Sequence, residues 1–294
     1  MMQHRQEFNS LTGSSDESEP MNRRNFIQTA VGVGFAAAAL PVCAQTVIKT
    51  DKTGLEDGTV KLVVKGQQVP VYFAKPQGKN KLPVILVISE IFGVHEHIAD
   101  VARRFAKLGY LAIAPDLFIR QGDVNQYPSV AELIQNIIAK VPDAQVMEDL
   151  DATVTWAENN GGDVSRLGIT GFCWGGRITW MYSAHNPKVT AGVAWYGRLV
   201  SNPTALSPSN PIDIAATLKT PILGLYGAKD TGIPVSTVEQ MKEALAKGQS
   251  GSEFKVFDNS GHAFHADYRP SYVEADAKDG WSRAVAWFKT HGVV

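Results

Sequence analysis

The fold of this chain is decided by the segment Ile169-Thr170-Gly171-Phe172-Cys173-Trp174-Gly175-Gly176. The segment ends an apolar, strand-like stretch with the pattern Gly-x-Cys-x-Gly and then leads into a helix-like stretch. Glycines on both sides of a residue permit a tight strand-to-helix turn that pushes the central side chain into a cleft, the geometry of a nucleophile elbow. The pattern predicts Cys173 as a nucleophile, with sulfur in place of the usual serine oxygen. A lone cysteine can also be a small buried hydrophobe, so that alternative stays open here.

Length and charge restrict the class of protein. The chain has 294 residues, enough for one large domain once a leader is removed. Charged residues make up 19% of the chain and its formal net charge is −1. That balance provides no basic surface for nucleic acid. The expected partner is a small neutral or anionic molecule, and the chain is expected to act as a monomer.

Residues 1–44 are predicted to be an N-terminal extension and a signal peptide. Arg23-Arg24 precedes an apolar run at 29–40, which has the length of a signal core and is too short for a membrane span. Paired arginines at this place are typical of a twin-arginine export signal, and this predicts a periplasmic bacterial protein. Val42-Cys43-Ala44 has the small residues that a signal peptidase reads, so the mature chain is predicted to start at Gln45.

Three other interpretations also fit this segment. Met21 could be the true start, the apolar run could be a retained amphipathic helix, and Cys43 could be a lipid-anchored residue. The run has no polar face, and Val42 is large for a lipoprotein site, which disfavours the last two. If Cys43 leaves with the leader, Cys173 is the single thiol of the mature chain, in a compartment where disulfides are common. Such a thiol is either buried and inert or chemically used.

The remaining chain, 45–294, alternates strand and helix patterns without repeats, which predicts a single α/β domain. Strands are predicted at 61–64, 71–74, 83–89, 110–114, 167–170, 190–196, 222–226 and 254–257, and helices at 98–107, within 130–140, 144–159, after the elbow to about 185, 235–247 and 273–291. The first two strands read as an antiparallel hairpin at a sheet edge, turning at Gly66-Gln67-Gln68. The result is a mostly parallel, doubly wound sheet of about eight strands, with active groups at the carboxyl ends of the strands.

A nucleophilic cysteine needs a base, and the base needs an acid that fixes its tautomer. In α/β-hydrolases these follow in the order nucleophile, acid, histidine, each after a strand. Asp230 follows the strand at 222–226 and His262 follows the strand at 254–257, so both order and placement fit. Separately, Asp230 could be a turn or cap residue and His262 a loop histidine. His265 is a second choice for the base.

The loop after the strand at 83–89 is predicted to complete the site. Here an α/β-hydrolase donates one backbone N–H to the oxyanion hole, and the residue after the nucleophile donates the other. We assign these donors to Ile91 and Trp174. Glu90 stands at a buried strand end, where a carboxylate is costly unless it is paired or protonated. The alternative is a Glu90 that faces solvent or caps the next helix.

Five motifs together resemble the dienelactone hydrolase (carboxymethylenebutenolidase) family, over about residue 61 to the C-terminus. They are Ser89-Glu90-Ile91-Phe92-Gly93-Val94, Ala114-Pro115-Asp116-Leu117-Phe118, Gly171-Phe172-Cys173-Trp174-Gly175-Gly176, Trp195-Tyr196-Gly197 and Gly261-His262-Ala263-Phe264. The resemblance implies an α/β-hydrolase fold, a triad of Cys173, Asp230 and His262, no metal and no cofactor. It also implies hydrolysis of the enol-lactone dienelactone to maleylacetate.

The family resemblance also implies roles for residues that bind substrate. The residue matching Glu90 partners the resting thiol and helps to release a thiolate. Arg120 matches an arginine that grips the substrate carboxylate, a geometry that suits a guanidinium, and Tyr196 is expected to line the same site. A second family arginine is missing, because this chain has His265 there; His265 or Arg269 could replace it.

The sequence therefore predicts a cysteine-dependent hydrolase of a carboxylic ester or lactone, with small-molecule substrates that could be anionic. The alternative is a small-molecule-binding protein on a hydrolase fold whose triad turns over slowly or not at all. A redox role for Cys173 is disfavoured, because the chain lacks a second cysteine to resolve a sulfenic acid.

Overall fold

The structure is a computed structural model, and it describes residues 48–294. The predicted leader at 1–44, with Cys43 and the predicted cleavage site before Gln45, lies outside the described residues. Within residues 48–294, no helix is both long enough and apolar enough to cross a membrane.

The first two strands form a hairpin at one edge of the sheet, as predicted. Strands β1 (Leu55–Val64) and β2 (Gln67–Pro76) pair antiparallel. Both strands are longer than expected, and the turn between them is only Lys65-Gly66 rather than Gly66-Gln67-Gln68. Lys65 has φ 49° and Gly66 has φ 80°, and positive φ at both central residues is what a tight two-residue hairpin requires.

The rest of the chain alternates helices and strands. In order these are β3 (Leu82–Ile88), α1 (Glu96–Lys107), β4 (Leu111–Pro115), α2 (Val130–Asn136), α3 (Asp143–Asn159), β5 (Gly162–Phe172), α4 (Trp174–His185), β6 (Val189–Trp195), α5 (Pro211–Ile214), β7 (Ile222–Gly227), α6 (Val235–Leu245), β8 (Glu253–Phe257) and α7 (Glu274–Thr290). Short 3-10 turns lie at Val124–Gln126 and Ile138–Lys140. The helical pattern within 130–140 is thus divided between α2 and a 3-10 turn, and the short α5 has no predicted counterpart.

The eight strands form one sheet in the order β1-β2-β4-β3-β5-β6-β7-β8. Strands β3 to β8 pair parallel, whereas β1 and β2 are antiparallel to their neighbours. The predicted mostly parallel sheet of about eight strands is confirmed. Its carboxyl ends meet along one edge, and the loops that carry the candidate site residues leave from that edge.

Helices cover both faces of the sheet, which explains the continuous apolar run of β3. Ile85 and Val87 pack with α1 and α7 on one face, and Val84, Leu86 and Ile88 pack with α3 and α4 on the other. A strand buried on both faces needs apolar residues at every position rather than at alternate ones. The central strands are therefore rigid supports for the loops at their ends.

Candidate active site

The elbow is a strained turn at the junction of β5 and α4. Cys173 has φ 56° and ψ −113°, an unfavourable backbone conformation for a residue other than glycine. Close packing holds it there. A Cβ on Gly175 would collide with the carbonyl oxygen of Ile88 and lie 2.6 Å from that of Ser89, and one on Gly176 would lie 2.5 Å from the carbonyl oxygen of Trp195. These glycines allow α4 to approach the neighbouring strand ends.

Cys173 lies at the start of a helix. It immediately precedes the first turn of the twelve-residue helix α4, whose N-terminal N–H groups carry a partial positive charge. Its own N–H donates to the carbonyl of Trp195 at 3.0 Å. The residue is 6% exposed, so it is closely packed but not completely buried. It is free of any disulfide within the described chain.

His262 and Asp230, the predicted base and acid, form a hydrogen-bonded pair. His262 Nδ1 lies 2.6 Å from Asp230 Oδ2. Asp230 Oδ1 in turn accepts the N–H groups of Gly232 at 2.9 Å and Ile233 at 3.0 Å, which fixes the carboxylate in its loop after β7. With Nδ1 turned to Asp230, the Nε2 atom is the one left for proton transfer.

The charge state of His262 links it to Cys173. Burial alone lowers the pKa of His262, but the negative charges of Cys173 and Asp230, and hydrogen bonds with both side chains, raise it to about 10. A protonated His262 imidazole is thus favoured near neutral pH. The sequence predicted each member by strand position, and the structure brings the three side chains together.

The two predicted oxyanion donors lie on facing elements. Trp174 is the first residue of α4, so its N–H has no acceptor within the helix. Ile91 is 2% exposed in the loop after β3, and its N–H makes no hydrogen bond with residues 48–294. Since Gly175 packs against the end of β3, the two N–H groups are held near the elbow.

Glu90 is buried and paired, so the alternative of a solvent-facing or capping glutamate is wrong. Its Oε2 lies 3.3 Å from His95 Nε2 and accepts the hydroxyl of Tyr268 at 3.1 Å. Burial raises the pKa of Glu90, but the hydrogen bond with His95 and the positive charges of His95, His97 and Arg269 lower it to about 2. The carboxylate is therefore ionised. The partners seen for Glu90 are His95 and Tyr268 rather than the thiol that the family resemblance implied.

Arg269 and Tyr196 lie beside this carboxylate. The guanidinium of Arg269 stacks over the rings of Phe92 and Tyr268, with its Cζ 4.6 Å and 5.2 Å from their centroids. Tyr196 is fully buried, with φ 38°, and its ring lies 5.2 Å from that of His262.

Comparison with known proteins identifies the family. The sequence profile of the Dienelactone hydrolase family matches residues 69–292. The chain belongs to the dienelactone hydrolase family. A relative from Methylorubrum extorquens, provisionally named carboxymethylenebutenolidase, is 56% identical over 274 residues, which cover 93% of this chain and 94% of the relative. One from Escherichia coli K12 with the same provisional name is 52% identical, covering 88% of this chain and 96% of the relative.

A solved structure supports the same assignment. The crystal structure of a provisionally named dienelactone hydrolase from Klebsiella pneumoniae is 52% identical and superposes with a TM-score of 0.79, covering 80% of this chain and 98% of that one. The predicted family and its α/β-hydrolase fold are confirmed. Family membership also confirms a carboxymethylenebutenolidase-like hydrolase as the general class.

Arg120, to which the family resemblance assigns the substrate carboxylate, has other partners in the structure. Arg120 donates to Asp149 Oδ2 at 2.5 Å and to the carbonyl of Val64 at 3.3 Å, and the Asp149 side chain is only 1% exposed. This guanidinium already has a buried carboxylate as its partner. The contacts described for Arg120 therefore give it a structural role, and they do not support the predicted grip on a substrate carboxylate.

His265 does not replace the missing family arginine. It is 2% exposed and lies among aromatic rings, 5.1 Å from that of Phe172 and 4.5 Å from that of Trp195. Burial and the positive charges of His97 and Arg104 lower its pKa well below the ordinary value, so it is neutral. A buried imidazole with a lowered pKa is a weak base and carries no positive charge to attract a carboxylate.

Several members of this site were not predicted from the sequence. His95 and Tyr268 approach Glu90 from loops, and no motif spacing signals that contact. Arg198 directly follows the Trp195-Tyr196-Gly197 motif, and the charges of Cys173 and Asp230 act on it. The position of Arg198 just after a strand end was the feature of the sequence that could have identified it as a site residue. Within residues 48–294 no group of three or more His, Cys, Asp or Glu side chains is arranged to hold a metal ion.

Proposed function

We propose that this protein hydrolyses carboxylic esters or lactones through a covalent thioester on Cys173. One observation carries the proposal: His262 is held by Asp230 at 2.6 Å, while the charge of Cys173 at the elbow raises its pKa. That is the arrangement of an activated nucleophile, its base and the group that orients the base. Relatives named for carboxymethylenebutenolidase activity support an enol-lactone as the substrate type.

In the first half of the reaction, the Cys173 thiolate attacks the carbonyl carbon and a carbon–sulfur bond forms. The carbonyl oxygen becomes an oxyanion that the N–H groups of Ile91 and Trp174 hold. Each such donor typically contributes about 2.7–4 kcal/mol to the transition state. As the tetrahedral intermediate collapses, the bond to the ester oxygen breaks. The His262 imidazolium gives its proton to the leaving oxygen.

In the second half, His262 is neutral and accepts a proton from water. The hydroxide equivalent attacks the thioester carbon, the oxyanion forms again in the same place, and the carbon–sulfur bond breaks. The carboxylic acid product leaves, and the thiolate–imidazolium pair is restored. Throughout the cycle Asp230 keeps Nδ1 of His262 engaged, so that Nε2 is the atom that exchanges the proton.

Replacement of Cys173 by alanine tests this proposal. The variant is assayed against 4-nitrophenyl acetate and against dihydrocoumarin, a lactone, with thermal unfolding as the check on folding. We expect kcat/KM to fall by about a thousandfold or more for both substrates, because the nucleophile is gone while the oxyanion donors remain. Cys173→Ser is the matched control for shape and should lose most activity while binding substrate. Turnover that persists in a folded Cys173→Ala variant would reject the triad.

A further inference from the structure

The loop between β3 and α1 is closed by a contact between the side chains at its two ends. Glu90 and His95 are five residues apart, and Glu90 Oε2 lies 3.3 Å from His95 Nε2. Within the loop, the N–H of His95 donates to the carbonyl of Gly93 at 3.1 Å. Ile91, whose N–H is assigned to the oxyanion hole, lies between the two side chains in the chain. The contact therefore spans the segment that carries this donor.

The helix does not explain a histidine at this position. His95 is the N-cap of α1, with φ −92° and ψ −179°, and its side chain makes no capping hydrogen bond. Serine, threonine, aspartate and asparagine are preferred at an N-cap, because their side chains accept N–H groups of the first turn. The His95 imidazole instead contacts Glu90, whose side chain is only 3% exposed. The side chain at the N-cap thus serves Glu90 rather than the helix.

A second loop fixes the same carboxylate. The Tyr268 hydroxyl donates to Glu90 Oε2 at 3.1 Å. The Tyr268 ring also meets the ring of His95 edge-on, with their centroids 4.8 Å apart. Tyr268 lies in the loop after β8, which also carries His262. One oxygen of Glu90 therefore joins the loop of the oxyanion donor to the loop of the base.

The charge of Glu90 strengthens these contacts. Burial disfavours its ionised form, but the hydrogen bond with His95 and the positive charges of His95, His97 and Arg269 lower its pKa to about 2. Hydrogen bonds to an ionised carboxylate are stronger than those between neutral groups. A buried carboxylate that loses its partner is costly, so its side chain shifts to regain one. Without His95, the Glu90 side chain would move, and the peptide bond to Ile91 would move with it.

We propose that His95 is a positioning residue for the oxyanion hole: through Glu90, it holds the N–H of Ile91 in the place that the reacting carbonyl oxygen requires. This inference rests on the proposed hydrolysis and adds a residue to it. His95 acts through Glu90 and exchanges no proton with the substrate. Its effect is confined to steps that form an oxyanion, because such a donor acts when negative charge develops on the carbonyl oxygen.

His95→Leu removes the contact with Glu90 and keeps a side chain of similar size. With 4-nitrophenyl acetate, we expect kcat to fall by about tenfold to a hundredfold and KM to change by less than about threefold, because a misplaced donor weakens the transition state more than the bound substrate. His95→Gln keeps an N–H that can reach Glu90, so it should recover most of the activity. His185→Leu, which removes an exposed histidine–carboxylate pair with Asp151, should leave both constants unchanged.

Two reagents separate an effect on the oxyanion from an effect on the thiol. Butyl trifluoromethyl ketone accepts the Cys173 sulfur at its carbonyl carbon, and the oxyanion of this adduct mimics that of the reaction. Its inhibition constant should rise in His95→Leu by about the same factor as kcat/KM falls. Iodoacetamide alkylates Cys173 and releases iodide without forming an oxyanion. The alkylation rate should therefore change by less than about threefold.

Two outcomes would overturn the role of His95. A folded His95→Leu variant with native kcat would show that the contact with Glu90 positions nothing. An equal loss of ester hydrolysis and of alkylation would show that His95 acts on the sulfur. Should His95→Leu not fold, Tyr268→Phe removes the other donor to Glu90, and it should show the same pattern with a smaller loss. Failure of the triad is recognised separately, because turnover would then persist in Cys173→Ala whatever the result with His95→Leu.

Discussion

At the scale of single residues, the charge of His262 is the property on which the chemistry depends. Burial disfavours its imidazolium, and the neighbouring charges of Cys173 and Asp230 outweigh that cost and bring its pKa to about 10. A raised histidine pKa stabilises the fold fully below the unfolded value of about 6.5, and that contribution is lost as pH rises through 10. The protonated pair is therefore expected across the neutral range.

Titration of His262 by nuclear magnetic resonance, with labelled histidine, measures this charge directly. We expect its imidazole to stay protonated from pH 6 to pH 9. In Cys173→Ala the pKa should fall, because the largest of the effects that raise it is the charge of Cys173. His185, whose imidazole is on the surface beside Asp151, is an internal reference from the same spectra. A neutral His262 at pH 7.5 in the native protein would contradict the ion pair.

At the scale of secondary-structure elements, the contact between the start of α4 and the end of β3 is the critical one. Gly175→Ala places a Cβ against the carbonyl oxygens of Ile88 and Ser89, which are backbone atoms and cannot rotate away. We expect the free energy of unfolding to fall by about 1–3 kcal/mol. We also expect kcat to fall by about tenfold or more, because the N–H groups of Ile91 and Trp174 separate.

Gly58→Ala in β1 is the control for this substitution. Its Cβ would meet only Phe73 Cε1, at 3.8 Å, an ordinary contact. Denaturant unfolding and ester hydrolysis are measured for both variants. An unchanged kcat in Gly175→Ala would mean that the elbow is not what positions the oxyanion donors.

The positions of these elements also explain which site residues could be predicted from the sequence. The Gly-x-Cys-x-Gly pattern and the positions of Asp230 and His262 after strands predicted three side chains that the structure brings together. Such local patterns are tied to strand ends, which a parallel sheet gathers at one edge. Arg269 and His95 could not be placed this way, because their orientation depends on the packing of loops distant in sequence. Arg120 was misassigned for the same reason: it lies in a turn, and its partner Asp149 lies on α3, distant in sequence.

At the scale of the whole molecule, a buried network of charges connects distant segments to the loop after β8, which carries His262. Asp267 is adjacent to Tyr268 in that loop, and its side chain is 0% exposed. It accepts hydrogen bonds from Arg104 at 3.0 Å and the N–H of Ile48 at 3.3 Å, and lies 2.8 Å from His97 Nδ1. The Asp267 carboxylate thus links Ile48 and α1 to the loop after β8.

Asp267→Asn removes the charge of this carboxylate while keeping its size. Among residues 48–294, Arg104 then keeps only Asp100 as a carboxylate partner, and His97 loses an anionic acceptor. Breaking a buried charge pair from one side typically costs about 3–5 kcal/mol. We expect a loss of this size in the free energy of unfolding, measured by denaturant at pH 7.

The pH dependence separates this network from a simple packing effect. Burial raises the pKa of Asp267, but the hydrogen bond and charge of His97, and then Arg104, bring it below the ordinary value. A carboxyl with a lowered pKa stabilises the fold above its unfolded pKa, and this contribution is lost as pH falls below about 4. The difference in free energy of unfolding between the native protein and Asp267→Asn should therefore narrow from pH 7 to pH 3. Asp279→Asn, which removes an exposed pair with Arg283, should stay within about 0.5 kcal/mol of the native protein throughout. If the loss of free energy of unfolding in Asp267→Asn does not change with pH, Asp267 stabilises the fold through its shape rather than its charge.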